Sequence, residues 1–250
     1  MQTSLSPGRR TKSGLFGLML VGTAASMMLG CTQMCGDKKS KSSGGEITTK
    51  AIQASLTPDQ AVERLLEGNE RFVAGKPAKK DLRLQVTETS TGQYPYAIVL
   101  GCIDSRTPPE LVFDTNLGDI FAPRIAGNYA NTDILGSMEF AAAVAGAKAI
   151  VVVGHSECGA VKGAVDAVRL GNLTTVVQAI EPATADVKAK GERTSKNHDY
   201  VQATAEANVR RTVASIRQNS DLLRKLEADG KLKIVGAMQD LSTGKVTVIQ

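Results

Sequence analysis

Two short apolar runs constrain the fold of this chain more than any other feature: Tyr96-Ala97-Ile98-Val99-Leu100 and Ala149-Ile150-Val151-Val152-Val153. Neither alternates apolar with polar residues, so neither suits a strand with one wet face; each reads as a strand buried on both faces. Between them, Ile134 to Ala147 looks helical, and strand, helix, strand in that order makes a parallel βαβ unit. The fold class is therefore α/β, a mostly parallel central β-sheet flanked by α-helices. Upstream, Thr57-Pro58-Asp59-Gln60 marks a helix start, with Thr57 as cap and Gln60 closing a capping box. Val62, Leu65, Leu66, Phe72 and Val73 follow at helical spacing, and Gly75 ends the segment. Downstream, helices are expected near 159–170, 174–190, 199–218 and 221–229. Two further strands, Leu232 to Met238 and Lys245 to Ile249, are joined through Ser242-Thr243-Gly244.

Residues 1–30 have the three parts of a secretory signal: a basic stretch with Arg9-Arg10, an apolar run from Leu15 to Leu29, and a small-residue exit at Gly30. As a retained anchor the run is short, since about 20 apolar residues are needed to span a bilayer. Met28-Leu29-Gly30-Cys31 resembles a lipobox, which makes Cys31 the candidate for a lipid anchor. The arginine pair raises a twin-arginine route, but Thr11-Lys12-Ser13 fit that signal poorly, and the general secretory route is preferred. An exported protein of the periplasm or cell envelope is expected. Gly36 to Lys50 has no periodic apolar residue, so 31–54 reads as a flexible tether and 55–250 as the folded domain. The formal charge of +5 falls to +2 without Arg9, Arg10 and Lys12, so the basic balance is a targeting charge and no nucleic-acid partner is implied.

Each buried strand ends in a glycine followed at once by a metal-competent residue. After Leu100 comes Gly101-Cys102-Ile103-Asp104-Ser105-Arg106, and after Val153 comes Gly154-His155-Ser156-Glu157-Cys158-Gly159. Ligands of open parallel sheets bind outside the carboxyl ends of the strands, so the two loops can converge. Two thiolates and an imidazole suit zinc, and three protein ligands leave one exchangeable position. Catalytic zinc, structural zinc, a Cys102–Cys158 disulfide and simple core thiols all fit this spacing. His155 argues against the last two readings, because no packing need calls for an imidazole in a glycine-bounded loop. The neighbouring Asp104 and Arg106 argue against a purely structural metal, since a guanidinium keeps a carboxylate ionised and fixed in direction.

The order of blocks is more specific still. Cys102-x-Asp104-Ser105-Arg106 with Pro109-Glu110, Gly118-Asp119-x-Phe121, Arg124-x-Ala126-Gly127-Asn128, Gly136-Ser137-x-Glu139 and Gly154-His155-Ser156-x-Cys158-Gly159-Ala160 closely resemble the β-carbonic anhydrases. The match runs from about Leu65 to Val161, and more loosely to the C-terminus.

That resemblance implies reversible hydration of CO2 to bicarbonate and a proton by a hydroxide formed on zinc. It implies one Zn2+ per subunit held by Cys102, His155 and Cys158, with Asp104 and Arg106 as a catalytic dyad. Asp104 would face its arginine in the active form and swing onto the metal, as a conditional ligand, in a closed form. It also implies a substrate pocket with Gln93, Phe121, Phe140 and the Gly159 N–H, the two aromatic walls coming from a partner subunit of a homodimer or homotetramer. Members inhibited by bicarbonate carry a tryptophan where this chain has Val99, so an open, plant-like site active over a broad pH range is expected. His198 reads as a surface residue, Asn128 and Glu139 as supporting or interface residues, and Cys35 as incidental.

Overall fold

In the computed structural model, which describes residues 45–188 and 190–249, the chain enters through α1 (Lys50–Ser55) and α2 (Pro58–Val73). Both arms of the predicted capping box are present: the Thr57 hydroxyl accepts from the Gln60 N–H, and the Gln60 side chain accepts from the Thr57 N–H. There follow α3 (Leu82–Thr89), β1 (Ala97–Leu100), α4 (Pro109–Val112), β2 (Ile120–Phe121) and α5 (Thr132–Glu139), which runs into a π-helical turn at Phe140–Val144. The second half comprises β3 (Ala149–His155), α6 (Gly159–Val165), α7 (Leu173–Ile180), α8 (Pro182–Ala185), α9 (His198–Asn219), α10 (Asp221–Ala228), β4 (Lys233–Gln239) and β5 (Val246–Val248).

The sheet order is β2-β1-β3-β4-β5, parallel except for the β4–β5 hairpin. β1 and β3 pair from Ala97↔Ala149 to Leu100↔Val152, so both strands run out at the same edge. Alternate side chains serve two cores, as a two-residue repeat demands. Ile98, Leu100, Ile150 and Val152 pack with Met138, Val209 and Ile216 on one face. Val99, Val151 and Val153 pack with Leu65, Tyr96 and Phe113 on the other. Apolar partners on both faces explain why the strands read as unbroken apolar runs.

Four boundaries differ from the sequence expectation. The folded part begins before residue 55, because polar groups tie residues 46–54 to the domain. Thr48 donates its N–H and hydroxyl to the Asp119 carboxylate at 3.1 and 2.6 Å, and Gln53 donates to the carbonyls of Pro95 and Ala145, both at 2.7 Å. The helix expected over 134–147 breaks into its π turn, with the Ala145 N–H on the Phe140 carbonyl. The helix expected over 159–170 stops at Val165, and Ala167 beyond it has φ +50°. The one expected over 174–190 divides before Pro182, whose ring cannot continue the hydrogen-bond ladder. The signal segment, Cys31, Cys35 and the tether up to residue 44 lie outside the described residues. Among the described residues no helix is long and apolar enough to cross a membrane.

Candidate metal centre

Three predicted ligands meet at the shared strand edge. Cys102 lies two residues beyond β1, His155 is the last residue of β3, and Cys158 precedes the first residue of α6. Their ligand atoms all lie within 4.8 Å of one another, and all three residues are buried. The sulfurs are 4.0 Å apart, about twice the length of a disulfide bond, so the pair is not crosslinked. His155 Nδ1 lies 2.9 Å from the Ser156 carbonyl, which assigns the ring proton to Nδ1. Nε2 is buried with no hydrogen-bond partner. A buried lone pair left without a donor and facing two sulfurs is costly unless a cation takes it up. The donor set fits one tetrahedral zinc ion with its fourth position open.

The electrostatics separate the two sulfurs. The contact with the Cys158 sulfur, in which either thiol could donate, holds Cys102 well below the ordinary thiol range against the opposing effect of burial; His155 and the N–H groups of Gly127 and Asp104 add to it. Cys158 is pushed up by that contact and by burial, while the N–H groups of Val161 and Ala160 pull it down. Burial works against a charge on His155, but the Cys102 sulfur and the Ser156 carbonyl outweigh it and its pKa is raised.

Beside the ligands, Asp104 accepts from Arg106 three times: from the backbone N–H at 3.0 Å, from Nε at 2.9 Å and from Nη2 at 2.7 Å. These bonds hold the carboxyl well below the usual carboxylate range. Asp104 Oδ2 stands 3.9 Å from His155 Nε2, so the fixed carboxylate borders the ligand set.

The remaining predicted residues are distributed differently. Gly159 opens α6 and is exposed, with nothing within 4 Å of where a Cβ would stand. Phe121 and Phe140 meet edge to face, centroids 6.2 Å apart, on a groove of about 730 Å³ whose lining includes none of the three ligands. Phe140 is 54% exposed. Gln93 is exposed beside Gly118. Asn128 is buried with φ +44°, and Glu139 accepts from Ser220. His198 is a surface residue, as expected, but it is tied to Glu157, which also pairs with Lys162. Arg124, to which the sequence motif assigns no role, donates to the carbonyls of Cys102 and Asp104.

A buried mixed sulfur and nitrogen set at the carboxyl edge of a parallel sheet, with a fixed carboxylate beside it, is the layout of a mononuclear zinc enzyme. Comparison with known proteins narrows that class. A family model described as carbonic anhydrase matches residues 97–246. Carbonic anhydrase 2 of Mycobacterium tuberculosis is 35% identical over 200 residues, covering 78% of this chain and 94% of that protein. A solved structure of a tetrameric β-carbonic anhydrase from Sordaria macrospora shares the fold with a TM-score of 0.56 at 24% identity, covering 67% of this chain and 90% of that one. The Coccomyxa β-carbonic anhydrase in complex with acetazolamide gives 0.60 at 22% identity, covering 67% and 77%. The chain belongs to the β-class carbonic anhydrases, whose metal is zinc.

Proposed function

We propose that this enzyme hydrates CO2 reversibly to bicarbonate and a proton with Asp104 and Arg106 as its orienting pair. The carrying observation is the set of three hydrogen bonds that fixes the Asp104 carboxylate at the edge of the ligand set. Cys102, His155 through Nε2, and Cys158 would hold one zinc ion, which when bound supplies the Lewis acidity that makes water a nucleophile near neutral pH. Oδ1 accepts two of the three Arg106 bonds and Oδ2 only one, so Oδ2, the oxygen nearer His155, keeps a lone pair that can accept a hydrogen bond from the attacking water. So acidic a carboxylate does not carry the proton away; it aims the water oxygen at carbon. The Gly159 N–H donates to a substrate oxygen. Gln93 lines the substrate pocket, and Phe121 and Phe140 wall the pocket of a second copy in a homodimer or homotetramer, a reading supported by the exposed Phe140 ring on a groove apart from its own chain's ligands.

The orientation of Asp104 toward Arg106, with Val99 at the position of the missing tryptophan, supports an open site active over a broad pH range. A steep loss of activity as pH falls toward neutrality, with Asp104 found on zinc, would overturn that reading. The signal segment supports export, with lipid on Cys31. Mass spectrometry of the mature protein is expected to show an N-terminus at Cys31, and a chain retaining residues 1–30 would sink the export reading. The dyad is tested by stopped-flow CO2 hydration on zinc-loaded protein. Asp104→Ala is expected to lose about a hundredfold in kcat with zinc content unchanged; unaltered turnover would remove Asp104 from the mechanism.

A further inference from the structure

We propose that Arg124 is a positioning residue for Asp104, its guanidinium clamping the backbone of the loop that carries both the first metal thiol and the orienting carboxylate. The inference rests on the reading of Asp104 given above. Arg124 Nε donates to the Cys102 carbonyl at 2.8 Å and Nη2 to the Asp104 carbonyl at 2.6 Å. One rigid planar fork thus spans two carbonyls of the same loop, which fixes their separation and their direction together.

The clamp itself is anchored. Gly101 bridges to Arg124, with the Gly101 N–H on the Pro123 carbonyl and the Ile125 N–H on the Gly101 carbonyl, each at 3.1 Å. Three residues on, the Gly127 N–H reaches the Cys102 sulfur at 3.4 Å, and Asn208 from the buried side of α9 holds the Gly127 carbonyl at 2.8 Å. Residues 123–127 therefore form a strap along the Cys102 loop, fastened at one end to the end of β1 and at the other to α9.

The consequence for Asp104 follows from its short side chain. Two torsions separate its carboxylate from the backbone, so the carboxylate can be aimed only as well as the backbone is held. Arg106 fixes the carboxylate, whereas Arg124 fixes the carbonyl together with Thr107, whose N–H and hydroxyl donate to the same oxygen, each at 3.1 Å. Loss of Arg124 leaves the Thr107 bonds and the Arg106 pair in place, so the loop loosens without coming apart. Partners of this kind around metal sites typically contribute 10–100-fold in affinity or activity.

The test is a double-mutant cycle of Arg124→Gln and Asp104→Ala on the zinc-loaded full chain, read by kcat, by KM for CO2 and by the rate of zinc release to a chelator. In the wild-type background R124Q is expected to lower kcat about tenfold to a hundredfold with KM nearly unchanged, and to speed zinc release. In the D104A background it is expected to change kcat little, because the group it positions is gone. An equal loss of kcat in both backgrounds would show Arg124 acting through the fold and overturn the proposal, as would a wild-type kcat for R124Q. If D104A leaves turnover intact, the Asp104 reading fails. Faster zinc release from R124Q with turnover unchanged would make Arg124 a clamp on Cys102 alone, which overturns its positioning role. Arg124→Lys, which keeps the charge but not the fork, is expected to fall between wild type and R124Q and serves if R124Q does not fold. A wild-type kcat for R124K would dispose of the fork.

Discussion

Gly154 stands immediately before the ligand His155, and its side-chain space is already taken. A Cβ built there would lie 2.6 Å from Val209 Cγ2 on α9 and 2.7 Å from Met238 Sδ on β4. Comfortable contacts between such atoms are about 3.5–4.0 Å, so roughly 1 Å must be found. Met238 can turn its flexible chain aside. Val209 is fully buried and stiff at χ1, so α9 must move with it. Overpacking of a closed core costs about 1–3 kcal/mol, and the lower chain entropy of unfolded alanine returns less than about 1 kcal/mol. Gly154→Ala is therefore expected to destabilise by about 2 kcal/mol, a fall in Tm of about 4–8 °C for a domain of this size. Thermal unfolding of the zinc-loaded protein by circular dichroism measures it. The decisive comparison adds Val209→Ala, which alone loses about 1.6 kcal/mol for its two methyl carbons, with any cavity cost on top. With the obstructing methyl removed, G154A should cost little further, and zinc release, faster in G154A because His155 shifts, should return toward that of V209A. Additive losses of the two substitutions would refute the steric argument.

Two other outcomes follow from the same contacts. Arg217 holds Glu227 through two bonds of 2.7 and 2.8 Å, and the carboxylate also accepts from the Ile234 N–H; the arginine keeps Glu227 below the ordinary range against the opposing effect of burial. Because the folded pKa is depressed, the stabilisation is present above the ordinary glutamate value of about 4.3 and is lost as pH falls through the folded one. Glu227→Gln is expected to cost roughly 1 kcal/mol at neutral pH, and the difference from wild type should close in urea titrations taken toward about pH 3; a gap independent of pH would mean that the charge is not its source. Removal of zinc by a chelator is expected to lower Tm and to open Cys102 and Cys158 to a thiol reagent. Equal reactivity of these thiols in loaded and stripped protein would exclude them as ligands.

The strands, the capping box and the ligand loops were legible because each leaves a signature in residue type at short range. Unbroken Val and Ile runs mark burial on both faces, and a Thr-x-x-Gln start marks a cap. The segment 46–53 leaves none, since it is held by Thr48 on Asp119 and Gln53 on two carbonyls and not by an apolar face. Helix α3 inverts the usual pattern altogether. It buries Gln85, which bonds Asn116 and the Leu117 N–H, while Leu82, Leu84 and Val86 are exposed. A reading based on apolar periodicity passes over such a helix. β2 is two residues long, too short for any periodicity to register.

The same division runs through the site. Cys102, Asp104 and Arg106 sit at alternate positions of one loop, and their chemistry is carried by side chains, so their types and spacing suggest what they do. Arg124 acts on carbonyl oxygens, which every residue possesses, and nothing in the sequence says which carbonyls an arginine 20 or 22 positions away will find. Asn208 reaches the Gly127 carbonyl across 81 positions, a meeting that tertiary packing of α9 makes and residue spacing does not show. Residue type and spacing at the strand ends thus pick out the candidate ligands and the Asp104–Arg106 pair, and the family resemblance supplies their expected roles, whereas the precision with which they are held is written in backbone contacts. Substitutions that keep every predicted site residue are therefore expected to degrade this enzyme where they cut such contacts, at Arg124 on the proposal above and at Gly154 through its lack of side-chain space.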